Sequence, residues 1–590
     1  MISTLSIERN NFRTFGWIQN PSDFSKLCNV VSVFDKESFF HKHLKNNIIP
    51  KIILEKDGRS CFLKELNKEE IKLNYKDLVG TSFTPRSEAR CNGIIQATIP
   101  SQNKEKKFTD DWTADGFVRW AHALGFIKYN YYNDTFEITE NGLKLSRVTK
   151  GDSHLNSEQK AILIDSLLTY PPAVRVLSLL NAQEPLTKFE IGKQLGFIGE
   201  NGFTSLSQEI FIMQLSQLEG RKEKNKLKTD WEGSSDKYAR MISTWLVKLG
   251  LVQKVKKDVI VKIGNQEYNE VISPSYLITT EGVKESKKIL GKGKFKKASK
   301  NVCWEMLCSI KGKGGYYVRT RRSYILKFLI ESKKEVSCEF LKEKLQTVDI
   351  DEDVSIIKDD LNGLINIGIQ IMINNDNYIF CDSINDFVIP LNSKLTKTTI
   401  LENKDNLRKK LTHLSHEYLS LLDLAYDSRQ NRIFEMKTME LFLNECMYKG
   451  MHLGGTSKPD GILYTNCLKE DFGVIIDTKA YSKGYSLSAS EADKMERYIG
   501  ENQTRDEKIN SNKWWRNFSD NLTNYYFMFI SSYFTGGFEE RLKRISRNKG
   551  ILGTAISIEN LLLYANNFKK GEISYLETAE KVFCNKEYIV

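Results

Sequence analysis

Three residues have the types and the spacing for phosphodiester chemistry: Asp460, Asp477 and Lys479. Asp460 lies in the turn Lys458-Pro459-Asp460-Gly461, where proline fixes one dihedral and glycine frees another. Asp477 and Lys479 close the run Gly473-Val474-Ile475-Ile476. That run is β-branched, short and bounded by polar residues, and so predicts a buried strand. Side chains alternate across a strand, so Asp477 and Lys479 leave it on the same face. A turn folded back beside them brings two carboxylates and one ammonium together. Two hard oxygen ligands suit Mg²⁺, which keeps waters and coordinates phosphate oxygens. Such an ion polarises a phosphoryl oxygen and acidifies water, and a nearby lysine orients that water or stabilises the developing charge. A lone D-x-K at a strand end is most often a surface ion pair. The P-D-G turn at a suitable distance completes a P-D…D-x-K pattern and moves the reading toward a nuclease.

Several elements must position these residues. Glu417–Leu424 and Arg432–Tyr448 read as helices before the turn, and another helix starts at Ser488, where Ser488…Glu491 forms a capping box. Tyr525–Ser531 and Gly553–Ile558 read as further buried strands, so strand and helix alternate in an α/β domain. Glu435 and Glu440 lie on the helix before the turn, close enough in sequence to approach the metal. They are read as structural. Upstream, LNSKLTKTTILENKDNLRKK (391–410) is polar and poor in aromatics, a linker running into a helix.

The first two-thirds of the chain holds an irregular repeat in which a helix ends at an apolar-Gly-apolar step and a strand pair follows. The copies are FVRWAHALGFIKYNYYNDTFEITENG (117–142), RMISTWLVKLGLVQKV…YLITTEG (240–282) and DLNGLINIGIQIMINNDNYIF (360–380). Gly125, Gly250 and Gly368 stand where a left-handed helix cap is needed. Asn133-Asp134 and Asn374-Asn375 are hairpin turns. Helix, glycine, hairpin is how a winged helix ends. Val174–Leu180 with LTKFEIGKQLGF (186–197), and Arg319–Ile330 with Val336–Leu345, supply the helix–turn–helix segments upstream. In DKYARMISTWLVKLG, Met241, Ile242, Trp245, Leu246 and Leu249 form an apolar stripe, with Lys237, Arg240, Thr244 and Lys248 opposite. A solvated cationic face has the same spacing. Arginine can also pair bidentately with guanine, and glutamate can accept from cytosine. The stretch WEGSSDKYAR places Glu232, Lys237 and Arg240 together.

At 590 residues the chain exceeds one core,. The net charge of +12 favours a polyanionic partner,. Ten cysteines form no C-x-x-C pair, and with seven scattered histidines they support neither a zinc site nor a disulfide framework,. There is no eighteen-residue apolar run and no apolar leader at the start, so no membrane association and a cytoplasmic location are expected.

The residues HLGGTSKPDG (452–461), FGVIIDTKAY (472–481) and ADKMERYIGENQTR (492–505), with RTFGWIQNP (13–21) near the N-terminus, resemble the FokI-like type IIS restriction endonucleases of bacteria. The resemblance runs the length of the chain. It implies a multidomain α+β protein, with tandem winged-helix-like DNA-recognition modules followed by an α/β PD-(D/E)XK nuclease domain. The expected boundaries are 1–155 and 156–297 for the two reading modules, 298–390 for a third that docks the cleavage domain, 391–400 for a linker, and 401–590 for the nuclease. The family's base-reading positions fall on Gln19, Asn20, Arg86 and Trp112 in the first module, and on Glu232, Lys237 and Arg240 in the second. Thr229-Asp230 stands where the family has an asparagine. The implied activity is Mg²⁺-dependent cutting of both strands at a fixed distance from a short asymmetric site, GGATG. Alternatives on this scaffold are a single-strand nickase and a DNA-binding regulator with a dead nuclease domain. Asp493 and Arg497, four residues apart on one helix face, would by themselves be an intrahelical ion pair worth ~0.3–0.5 kcal/mol. The resemblance assigns them to a transient homodimer of cleavage domains. No methyltransferase signature is present, so host protection needs a separate cognate methyltransferase.

Overall fold

The computed structural model describes residues 1–8, 13–83, 90–100, 108–151, 153–182, 184–263, 266–291, 297–392, 395–466, 471–508 and 510–590. These form two compact units. One comprises Met1–Phe197, Lys237–Lys257 and Val271–Thr398; the other comprises Ile198–Asp236, Asp258–Glu270 and Thr399–Val590.

In the first unit the helix–glycine–strand pattern recurs three times. Helices Asp111–Ala123, Lys237–Lys248 and Val354–Asn366 are followed by Gly125, Gly250 and Gly368 at φ +73°, +80° and +105°. The first glycine leads into an antiparallel pair, Ile127–Asn130 with Thr135–Ile138, and the third into Ile371–Asn374 with Asn377–Phe380. Space as well as dihedral excludes a side chain at Gly368, because a Cβ there would overlap the Pro171 carbonyl,. Thr187 caps Lys188–Gly192, and Glu190 reaches back to complete the box,. On the Lys237–Lys248 helix, Ile242, Trp245 and Leu246 are buried, as the apolar stripe requires. One pairing has no signal in the sequence. Ile2–Ser6 runs parallel to Phe387–Leu391, setting Leu5 opposite Pro390. The segment read as the end of the third module is therefore also a strand.

The second unit is built on a six-stranded sheet. Its order is Lys449–His452, Gly461–Tyr464, Phe472–Lys479, Asn524–Ser531, Gly553–Ser557 and Glu587–Tyr588. The first three strands are antiparallel, and the last four run parallel to one another. Each face carries its own core, so the central strands are apolar on both sides. Val474, Ile476, Met528 and Ile530 pack on one face with Phe434, Met439 and Leu561. Ile475, Phe527 and Phe529 pack on the other with Met495, Ile499 and Leu542. The helix read as Arg432–Tyr448 is Asn431–Asn444. It stops early because Lys449–His452 is taken as the edge strand. Gly461 lets the helix approach: a Cβ there would press on Met439 Sδ.

Among the described residues no single helix is long and apolar enough to cross a membrane. Ser157–Thr169 and Pro171–Leu180 pass such a test only as a pair bent by 90°. The nine described cysteines are free thiols.

Candidate active site

Strand register brings the three chemical residues together. Gly461 pairs with Ile476 in the antiparallel ladder. One residue further, Asp460 stands opposite Asp477, and opposed residues of an antiparallel pair share a face. The two carboxyl groups are close enough for the charge of Asp460 to act on Asp477. Asp460 Oδ2 accepts from the Thr478 backbone N–H at 2.7 Å and from its hydroxyl at 3.1 Å. Lys479 Nζ donates to Asp477 Oδ1 at 2.8 Å, so the same-face expectation holds.

The electrostatics are unbalanced. Burial, then the charge of Asp460, pushes the Asp477 carboxyl from 3.8 up to about 7. Asp460 is raised by burial and by Glu435. Burial works against the Lys479 ammonium, but Asp477 and Asp460 overcome it and hold its pKa above the ordinary lysine value. Glu435 is raised by burial, against the pull of Arg432 and Lys479.

A cation fits this donor set. Two buried carboxyl groups side by side repel each other when both are ionised, and a divalent ion held by them would relieve that repulsion. No group of three or more His, Cys, Asp or Glu among the described residues forms a metal site. Two carboxylates leave most of a coordination shell to water and phosphate oxygens, which suits Mg²⁺ and not tetrahedral zinc.

The surrounding shell holds residues read from the sequence as a cap or as structural carboxylates, and two it assigned no role, Arg432 and His452. Ser488 caps the Ala489–Thr504 helix by accepting from the Glu491 N–H, but the reciprocal half of the expected box is not formed. The Glu491 carboxylate instead lies 3.2 Å from Lys479 Nζ and 3.6 Å from Lys494. The competing ion pairs outweigh the weaker bond to a backbone N–H. Of the two helix carboxylates, Glu440 is structural: it accepts from Lys437 at 2.6 Å and from the Ser207 N–H at 2.8 Å. Glu435 sits nearer the chemistry. His452 Nε2 is 3.1 Å from its Oε2, and Arg432 Nη1 is 3.4 Å away. Burial, and then Arg432, hold His452 well below the ordinary imidazole value. This histidine is therefore neutral near pH 7.

The residues expected to read DNA are placed as follows. Gln19 is half-buried and Asn20 exposed, just before the cis Asn20–Pro21 bond. Trp112, on the first turn of Asp111–Ala123, is 61% exposed, an unusual cost for a large ring with no core to fill,. Arg86 lies outside the described residues. Glu232 is half-buried on the Arg221–Ser234 helix of the second unit, while Lys237 and Arg240 are half-buried on the Lys237–Lys248 helix of the first. Burial, then Arg240, lowers the Lys237 pKa. At the departure site, the Thr229 hydroxyl donates to the Asn225 carbonyl at 2.9 Å, and Asp230 pairs with Arg432 at 2.6 Å. Asp493 and Arg497 do not pair with each other. Asp493 meets Arg544, and Arg497 lies 3.6 Å from Glu501 and over the Tyr498 ring.

Comparison with known proteins bears on the whole chain. It matches the FokI recognition domain, subdomain 1, over residues 13–148 and subdomain 2 over 159–294; the FokI D3 domain over 309–376; and the FokI cleavage domain over 397–589. It is 43% identical to the type II restriction enzyme FokI of Planomicrobium okeanokoites over 583 residues, covering 98% of this chain and 99% of that one. It is 33% identical to the type II restriction enzyme StsI of Streptococcus sanguinis over 588 residues, covering 97% and 95%. The structure of FokI superposes with a TM-score of 0.88 at 43% identity, and that of FokI bound to DNA with 0.90 at 42%. Each comparison covers 98% of this chain and all of the FokI chain.

Proposed function

The chain belongs to the FokI family of type II restriction endonucleases, and from that premise we propose that it binds a short asymmetric duplex site and uses Asp460, Asp477 and Lys479 to hydrolyse both strands at a fixed distance outside it. The observation that supports this most is the buried carboxyl pair with one lysine at the strand end. Asp460 and Asp477 would hold Mg²⁺, which when bound would supply Lewis acidity at the phosphoryl oxygen and a more acidic water. Thr478 fixes the Asp460 carboxylate through two hydrogen bonds. Lys479, held by Asp477 and Glu491, keeps its proton and presents positive charge where negative charge develops on the phosphoryl oxygens,. Water adds to phosphorus, one P–O bond of the backbone breaks, and the departing oxygen takes up a proton.

The reading modules are residues 1–155 and 156–297, with 298–390 as the docking module, 391–400 as the linker and 401–590 as the nuclease. Gln19, Asn20, Arg86, Trp112, Glu232, Lys237 and Arg240 read the duplex, for which GGATG is the first sequence to test. One catalytic site per chain cuts one strand, so both strands need two visits or two chains. Exposed Asp493 and Arg497 suit exchange of charge partners across a transient homodimer,. A separate methyltransferase protects the host, and the enzyme works in the bacterial cytoplasm. Digesting a plasmid carrying one GGATG with Mg²⁺, then sequencing the ends, tests target and offset together. Discrete double-strand ends are expected. Nicks alone would make it a nickase, and no cutting would sink the nuclease reading. Specific activity should rise with enzyme concentration; a flat response would remove the dimer.

A further inference from the structure

Arg432 stands beside the catalytic turn, on the first turn of the Asn431–Asn444 helix. Its guanidinium packs against Gly454, where a Cβ would overlap Nη1. The N–H groups of Leu453 and Gly454 both bind the Asp460 carbonyl, at 2.8 and 3.2 Å. Arg432 therefore lines the loop that ends in a catalytic carboxylate. Its own partners are Glu435 Oε2 and His452 Nε2 at 3.4 Å, and Asp230 Oδ2 at 2.6 Å. Asp230 comes from the Arg221–Ser234 helix, 202 residues away in sequence. A second cation, Lys458, is half-buried two residues before Asp460. Lys226 Nζ and the end of the Lys458 side chain both lie against Gly455, next to the Gly454 on which Arg432 packs. Two lysines thus gather beside Arg432, whose carboxylate partners are Asp230 and Glu435.

Two features distinguish this cluster from a structural ion pair. Lys437, on the same helix, is 1% exposed and donates to Glu417, Glu440 and the Ser205 carbonyl. The Arg432 and Asp230 side chains are 31% and 29% exposed and meet through one nitrogen. A guanidinium donates to two oxygens side by side, a geometry that phosphate offers and that this contact leaves half used. The charge deficit is also on the anion side, beside carboxylates that must meet a polyanion.

We propose that Arg432 and Lys458 form a binding site for a backbone phosphate of the strand to be cut, and that the Asp230 carboxylate fills this site while no DNA is bound. The proposal rests on the nuclease reading for the identity of the strand. Asp230 precedes Glu232 by two residues on one helix, so base reading and release of the phosphate site share one rigid element. The enzyme thereby carries its own competitor for off-site DNA.

The test uses the full chain without metal and a fluorescent 14-base-pair duplex lacking GGATG, followed by anisotropy across a salt series. Asp230→Asn should bind about tenfold tighter. Its plot of log K against log salt should be steeper by about 0.9, the contribution of one neutralised phosphate. Arg432→Ala in the Asp230→Asn background should cancel both gains, and Asp230→Glu should behave as the unaltered chain. With Mg²⁺, Asp230→Asn should raise cutting of a plasmid without the site relative to one with it. An unchanged salt slope in Asp230→Asn, or a gain that survives Arg432→Ala, would overturn the proposal. Failure of the unaltered chain to cut any plasmid would overturn the nuclease reading instead, and the anisotropy series would still decide whether Asp230 masks a phosphate site.

Discussion

Two buried charge clusters in this molecule look alike by burial and differ in balance. In the first unit Asp360 is 1% exposed, and in the second Asp477 is 2% exposed. Asp360 takes Arg321 Nε at 2.6 Å and Arg322 Nε at 2.6 Å; Glu352 takes Arg321 Nη1 at 2.8 Å and Lys397 at 2.7 Å. Tyr317 adds a hydroxyl to Glu352 at 2.9 Å. Burial alone would raise the Asp360 carboxyl, but the two guanidinium groups overcome it and hold the pKa below its ordinary value. Asp477 has one lysine and two neighbouring carboxyl groups, and its pKa goes up. A cluster saturated with protein cations holds a fold. One left short of positive charge is suited to a cation from outside.

Four experiments break or sharpen this contrast. The largest effect is on activity. Asp477→Ala or Lys479→Ala should lower plasmid cleavage by at least about a hundredfold, while gel shifts show target binding unchanged. Cutting that survives either change would remove that residue from the mechanism.

Next is stability. Arg321→Met leaves two buried carboxylates short of charge and should cost the first unit ~3–5 kcal/mol in urea unfolding. Asp477→Asn removes repulsion and should instead raise the melting temperature of the second unit at pH 8 without metal. Equal losses from both would erase the distinction between the clusters.

The third concerns pH. A carboxyl raised from 3.8 to about 7 in the folded state favours folding below its unfolded value. That contribution falls as pH rises and is gone above about 7. Metal-free stability of the second unit should therefore fall from pH 4 to pH 7, and added Mg²⁺ should restore it most at pH 8. The Asp477→Asn protein should lack this slope.

The smallest effect is expected at Glu491. Glu491→Gln keeps the capped N–H but removes one of the two carboxylates on Lys479, and cleavage should slow by a few-fold with melting unchanged. A large loss of stability would make Glu491 a cap residue after all.

The comparison also separates two kinds of legibility. The nuclease strand could be read because its period of two and its P-D…D-x-K spacing are local facts. The repeated helix, glycine and hairpin were legible for the same reason, since a left-handed dihedral at Gly125, Gly250 and Gly368 is a local requirement,. The Ile2–Ser6 strand was not, because its partner lies at Phe387–Leu391 and parallel pairing leaves no turn between them,. Glu491 was misread for an instructive reason. Ser-x-x-Glu spacing describes what a helix start offers, and Lys479 decided where the carboxylate went.

The amino-acid order by itself determined which residues are chemically able, which strand face Asp477 and Lys479 share, and where the Ala489–Thr504 helix begins. Only the tertiary structure decided how much positive charge each buried carboxylate receives. Arg321, Arg322 and Lys397 converge on Asp360 and Glu352, while Asp477 is left with Lys479, and Asp230 is brought to Arg432 across 202 residues. Electrostatic balance in a low-dielectric interior is a sum over neighbours in space, and chain order does not specify that sum.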